Sequence, residues 1–178
     1  MDASPAMIAQ LRAKPGGDRI PVAIGNFVDP PVTGPFSMVY VVFNTFFALT
    51  SQQETCSCFD AVGRLLGDAG RFVIEAFVPD VTRFDRGQRV AVTRLTAATA
   101  NLELSRHDPV HQTVASHHVD LEGTGPVLRP VYLRYAWPSE LDLMARLAGL
   151  DLEHRWGGWA GQPFDATSVT HVSVYRRD

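Results

Sequence analysis

Several groups of residues in this chain are of types that do chemistry. Asn44 and Thr45 interrupt an otherwise apolar run from residue 38 to 49. A buried amide there must find a polar partner, either backbone or a bound molecule. Glu75 places a charge inside the apolar stretch Phe-Val-Ile-Glu-Ala-Phe. Such a carboxylate is expected to be paired or to face a cleft. Asn26, after Gly25, offers an amide donor and acceptor, and Asn also tolerates left-handed turns. Trp156-Gly-Gly-Trp159, with Phe164 downstream, could wall an apolar pocket or pack a closing hairpin. The histidines His107, His111, His117 and His118 invite a metal reading. A His-x3-His pair ligates best on a helix, where i and i+4 share a face. Here Asp108-Pro109 puts a turn inside the pair and no cysteine cluster joins it, so a solvated hairpin is expected and no metal site. Cys56-Ser57-Cys58 reads as helix packing, and so close a pair is no disulfide framework, which favours a reducing compartment.

These residues need elements to position them. Ser4-Pro5 is an N-cap followed by proline at the first helical position, and Met7, Ile8 and Leu11 then share a face until Pro15-Gly16-Gly17. Residues 20–24 read as a short strand. Residues 38–43, apolar and rich in β-branched and aromatic types, read as a strand buried on both faces, as in a parallel sheet. Ser51 and Glu54 have capping-box spacing, with Phe59, Val62 and Leu66 on one helical face and Gly67 to Gly70 as its end. Residues 71–77 are the next buried strand. This alternation predicts an α/β sheet with crossover helices.

From residue 89 to 136 the pattern changes to alternating apolar and polar residues. Turn signals recur at Ala97-Ala98-Thr99, His107-Asp108-Pro109 and Gly123-Thr124-Gly125-Pro126. Three or four antiparallel strands with one wet face are expected. Pro138 then opens a helix carrying Leu141, Met144, Ala145 and Ala148 on one face, and strands at 151–156 and 169–175 close the chain. The expected organisation is one domain over 1–178: a partial α/β half at 1–88, an antiparallel insertion at 89–136, and a closing helix and hairpin at 137–178.

Composition bounds the function. The chain has 178 residues, 46% hydrophobic and 20% charged, enough to bury a core. Sixteen Lys and Arg against nineteen Asp and Glu give a net charge of −3, which is no footprint for nucleic acid. The apolar run at 38–49 is short of the roughly 20 residues that cross a bilayer. The N-terminus also lacks the basic and apolar regions of a secretory signal, so a cytoplasmic protein is expected.

The order of elements resembles a class I S-adenosylmethionine-dependent methyltransferase. Asp-Ala-Ser-Pro-Ala-Met at 2–7 resembles the family's turn after the second strand, and Gly25-Asn26-Phe27 its turn after the third. Residues 36–49 resemble the fourth strand and its exit, 64–79 the entry to the fifth, and 134–150 the late helix. The resemblance implies a Rossmann-like sheet lacking its first strands, with the family's glycine-rich cofactor loop falling upstream of Asp2. Ser37, Asn26 and Asp68-Ala69-Gly70 depart from the family's usual residues. The implied activity is methyl transfer from S-adenosylmethionine to a small-molecule acceptor. The rival expectation is a non-catalytic, methyltransferase-like interaction partner or gene fragment unable to hold cofactor alone.

The resemblance implies Asp2 on the ribose hydroxyls, Met7 on an adenine face and Asn26 with Phe27 at the adenine edge. It implies Phe43, Asn44 and Thr45 along the cofactor, with Glu75, Trp156 and Trp159 toward the acceptor. Without the glycine loop, cofactor binding by the chain alone is expected to be weak. Residues 22–24 are expected either to pair with 40–42 or to leave a gap, and an open edge there would favour a homodimer or a partner that completes the sheet.

Overall fold

Ser51 caps the longest helix by accepting the Glu54 amide at 3.2 Å, while the Glu54 carboxylate accepts the Ser51 amide at 3.1 Å. This helix, α2 (Gln52–Leu65), follows strand β1 (Phe36–Val41) and runs straight into β2 (Leu66–Phe77). The computed structural model describes residues 1–122 and 125–177, so the Gly123-Thr124 part of one anticipated turn lies outside the described residues. The remaining elements are α1 (Pro5–Arg12), β3 (Gln88–Leu95), β4 (Ala100–Asp108), β5 (Thr113–Glu122), β6 (Gly125–Arg134), α3 (Pro138–Leu147), β7 (Leu150–Trp156) and β8 (Thr170–Arg177).

Two four-stranded sheets result. One has the order β1-β2-β8-β7, with β1 parallel to β2 and the other pairs antiparallel. The other is the antiparallel meander β3-β4-β5-β6. Alternation divides the first sheet into two faces. Phe72, Ile74 and Ala76 of β2, with Tyr175 of β8, pack with Phe59 and Val62 of α2 and with Leu141, Met144 and Ala145 of α3. Phe59 stands edge-on to Phe46, Phe72 and Tyr175, the preferred geometry for aromatic pairs. The opposite face carries Val73, Val172 and Val174 with Trp156.

Three local expectations need correcting. Residues 20–24 make no strand; only Ile24 forms an isolated parallel bridge with Asp2, and a 3-10 turn occupies Gly17–Arg19. β1 is not buried on both faces: Val39 and Val41 meet the core, but Met38 and Tyr40 are exposed. Gly67 to Gly70 do not form a turn after the helix. They belong to the extended start of β2, where Ala69 has φ of 56° and the register to β1 slips between Phe36 and Met38. Gly70 is required there, because a Cβ would lie 2.8 Å from the Gly67 carbonyl oxygen. Of the two arrangements open to 22–24, the structure has the gap: β1 is an edge strand, and the Asp2–Ile24 bridge stands outside its sheet. Among the described residues no helix is long and apolar enough to cross a membrane.

Candidate active site

At the C-terminal end of β1 the chain makes a tight left-handed corner. Phe43 and Asn44 both have positive φ, 57° and 60°, before the 3-10 turn Thr45–Ala48. For Asn this conformation is tolerated; for Phe it is strained, and such strain gathers at ligand sites. One carboxylate and one amide side chain hold the corner. Glu75 accepts the Phe43 amide at 3.0 Å, and Asn44 Oδ1 accepts the Phe77 amide at 2.7 Å. The Phe43 ring is left 82% exposed. The ends of the parallel pair are where open α/β sheets take ligands.

Phe77 links this corner to a cavity of about 310 Å³. Its walls are Phe77 at the end of β2, Val78 and Pro79 after it, Phe84, and the inner face of the antiparallel sheet, including Val114, Val131 and Leu133. The floor is polar. Glu103 Oε1 accepts from Ser105 Oγ at 2.8 Å and from Arg89 at 3.2 Å, and Arg83 lies 3.6 Å away. The Ser105 and Ser116 hydroxyls are 2.8 Å apart. His118 stands directly across from Glu103 in the β4–β5 register and lines the same cavity. Tyr135 closes one end, its hydroxyl 2.9 Å from His107 Nε2, and Phe84 stacks on the His107 ring at 4.6 Å. Burial holds the Tyr135 hydroxyl protonated above its ordinary range. Asp80, also on the cavity wall, is held below the usual carboxylate range by the Thr82 hydroxyl and amide.

The residues singled out from the sequence fall into separate places. Asp2 and Met7 line one shallow cavity beside α1, and the Asp2–Ile24 bridge brings Asn26 close to Asp2. Phe27 ties that pair to the core. Phe43, Asn44, Thr45 and Glu75 form the corner after β1, with Glu75 bonded to the corner's backbone. Trp156 and Trp159 lie apart from both, in a groove with Met38, Tyr40 and Val172 on the opposite sheet face. Of the histidines, His111 bonds Asp108 at 2.8 Å in the anticipated turn, while His117 and His118 point to opposite faces of β5. Of the polar floor, only the histidines stand out in the sequence, and there as candidate metal ligands; Glu103, Ser105 and Ser116 do not. The floor's signal was present in the period-two spacing of Glu103, Ser105 and His107 and of Ser116 and His118.

An α/β sheet with a strained corner after β1, and an antiparallel sheet walling a side cavity, define a class. The chain belongs to the S-adenosylmethionine-dependent methyltransferases. It matches the CcbJ methyltransferase from Streptomyces caelestis at 37% identity and a TM-score of 0.87, over 97% of this chain and 74% of that one. The cypemycin N-terminal methyltransferase from a Streptomyces species is 25% identical over 99% of this chain and 73% of its own length. CalS10, an amino pentose methyltransferase from Micromonospora echinaspora, shares the fold, with a TM-score of 0.66 at 20% identity over 98% of this chain and 71% of that one. No family model matches the chain.

Asp2 and Asn26 each keep a polar group without a hydrogen bond among the described residues, of the kinds that a sugar hydroxyl and a base edge would need. Asp2 Oδ1 accepts the Ser4 amide at 2.8 Å, and no described residue bonds Oδ2. Asn26 Oδ1 accepts the Val28 amide at 3.0 Å, and its NH2 is a donor not used by a described residue.

Proposed function

We propose that this chain transfers a methyl group from S-adenosylmethionine to an amine nitrogen of a small-molecule acceptor. The observation that carries the reading is the cavity that is walled by the antiparallel sheet and lined by Phe77, whose amide is bonded to Asn44 of the corner. A volume near 310 Å³ is at the small end of ligand pockets and suits an acceptor of one or two rings or a short peptide end. The nitrogen is supported by the relative whose name places its methyl at an N-terminus. Bound S-adenosylmethionine supplies an electrophilic methyl group. The chain's own residues then have distinct tasks: Asp2 and Asn26 hold the nucleoside, the strained corner at Phe43 and Asn44 sets the boundary between donor and acceptor, and the apolar walls exclude water. Holding reactants in line in a dry site carries much of the rate in such a transfer. The test is mass spectrometry of amines incubated with the full chain and S-adenosylmethionine. A panel of an aminohexose, an amino-acid amide and a short peptide with a free N-terminus covers the class. Gain of one methyl mass on nitrogen supports the reading, and methylation confined to hydroxyl compounds contradicts it.

A second reading, action through association, is favoured by one observation. The open edge of β1 adjoins a groove of about 470 Å³ lined by Met38, Tyr40, Val73, Trp156, Trp159, Val172 and Val174, almost wholly apolar. Exposed apolar surface beside an unpaired strand recruits a partner strand or a second copy. Tyr40→Lys places a charge on that surface and is expected to convert an associating chain to monomer in light scattering coupled to size exclusion. A wild-type chain that runs as a stable monomer contradicts this reading.

A further inference from the structure

The cavity floor holds several titratable groups, and their surroundings leave one of them free to exchange a proton. Arg83 and Arg89 offer only guanidinium donors, which hold anions and do not serve as bases. Asp80 is tied to Thr82 and held in its ionised form, a weak base. Glu103 has one oxygen occupied by Arg89 and Ser105, and no hydrogen bond reaches its Oε2 among the described residues. The Tyr135 hydroxyl pairs with His107, and burial keeps it protonated. His118 is half-buried, lines the cavity, and makes no side-chain hydrogen bond among the described residues. Its cross-strand neighbours on this face are Glu103 on β4 and Arg129 on β6, and Arg129 is itself paired with Asp120. Imidazole is the side chain whose ordinary proton affinity lies near neutral pH.

Resting on the amine reading above, we propose that His118 is the proton acceptor for the substrate nitrogen, with Glu103 Oε2 as the anchor for a second N–H or a neighbouring hydroxyl. An amine arrives mostly as an ammonium ion, which has no lone pair to attack with. In the step proposed, one N–H bond of the ammonium breaks and one N–H bond forms on the His118 ring, giving a neutral amine and an imidazolium. The lone pair released on nitrogen is the nucleophile. The apolar walls Phe77, Phe84, Val114, Val131 and Leu133 disfavour the charged amine and so bring its proton affinity down toward that of imidazole. After transfer the proton on the His118 ring passes to solvent, which returns the imidazole to its starting form.

The first arm of the experiment needs no cofactor. Histidine ring signals of the full chain are followed by NMR across pH, with His118 assigned by comparison with His118→Gln. An aminohexose or the amino-acid amide, added at saturation, is expected to move the His118 titration midpoint downward, because a neighbouring cation opposes imidazolium. The second arm is the pH profile of methyl transfer. At pH 7 His118→Gln is expected to fall about 10²-fold or more below wild type. It then recovers toward the wild-type rate as rising pH deprotonates the amine without help. A His118 signal untouched while Phe84 or Tyr135 signals move overturns the proposal, as does a His118→Gln loss that is equal at every pH. A wild-type chain that methylates only non-amine compounds overturns the amine reading and this proposal with it. Wild-type amine methylation with an unchanged His118→Gln profile overturns this proposal alone.

Discussion

Replacing Asp142 with Ala is expected to destabilise the fold by about 3–5 kcal/mol, the range for breaking a buried ion pair from one side. Asp142 on α3 meets the Arg155 guanidinium of β7 through both oxygens, at 2.5 and 3.2 Å. The pair is largely buried, with side-chain exposures of 12% for Arg155 and 23% for Asp142. The Tyr175 hydroxyl donates to Asp142 at 2.9 Å, and Ser173 Oγ accepts from Arg155 Nε at 2.8 Å. The Ala variant leaves a buried guanidinium and a buried phenol without their acceptor. Arg155→Met in the same chain removes the stranded charge, so the double variant should regain part of the loss. Urea unfolding measures both. A single-variant loss under about 1 kcal/mol, the range of an exposed pair, would mean the network is decoration.

The second large effect is acid sensitivity centred on His171. Its side chain is fully buried on β8, with Nδ1 2.8 Å from Ser173 Oγ and Nε2 without a partner among the described residues. Burial first, and the charge of Arg155 second, pull its titration down to about 4. In the unfolded chain the same ring takes up a proton near 6.5. Between these values the unfolded state binds more protons, so stability falls as pH falls. The stabilisation is fully present above about 6.5 and lost by about 4, a difference of roughly 3 kcal/mol. Glu140 acts in a lower window. Despite partial burial, its bonds to Arg134 and Gln112 hold it below the usual carboxylate range, so its contribution fades only as that range is entered. His171→Gln should therefore flatten the slope of stability between pH 6.5 and 4.5 and leave the lower limb in place. A slope unchanged in that variant would assign the acid loss to other groups.

Much of this architecture could be read from short-range signals. Ser51 and Glu54 announce α2 because the cap is a contact across three residues, and Pro138 likewise fixes the start of α3. The four antiparallel strands follow from alternation and turns between 89 and 136. What failed depends on distant partners. Residues 20–24 have strand composition, but a strand exists only if paired, and Ile24 finds a single bridge. Gly67 to Gly70 look like a turn, yet pairing with β1 draws them into an extended strand. Met38 and Tyr40 look like core because apolarity does not say which face is covered. The cavity floor was hidden for a related reason. Alternation predicts a polar face, and the structure shows this face, carrying Glu103, Ser116 and His118, turned toward the end of β2. The opposite face leaves Val90, Val92, Leu128 and Tyr132 exposed. The corner at Asn44 was legible as a polar break in an apolar run, but its tie to the Phe77 amide, across more than thirty residues, was not.

Where the acceptor enters is the point on which the functional reading stands, and filling the cavity tests it most directly. Val131 lines the cavity from β6, and its partial exposure gives a larger side chain room to turn inward without breaking the core. Methyl gain by the amine panel, read by mass spectrometry, is compared between the wild-type chain and Val131→Trp at equal S-adenosylmethionine. If the acceptor sits between the end of β2 and the antiparallel sheet, the Trp variant keeps its unfolding midpoint but loses transfer by on the order of 10²-fold, as misplacement of a reactant does. A Val131→Trp chain that methylates the panel at the wild-type rate would contradict the account.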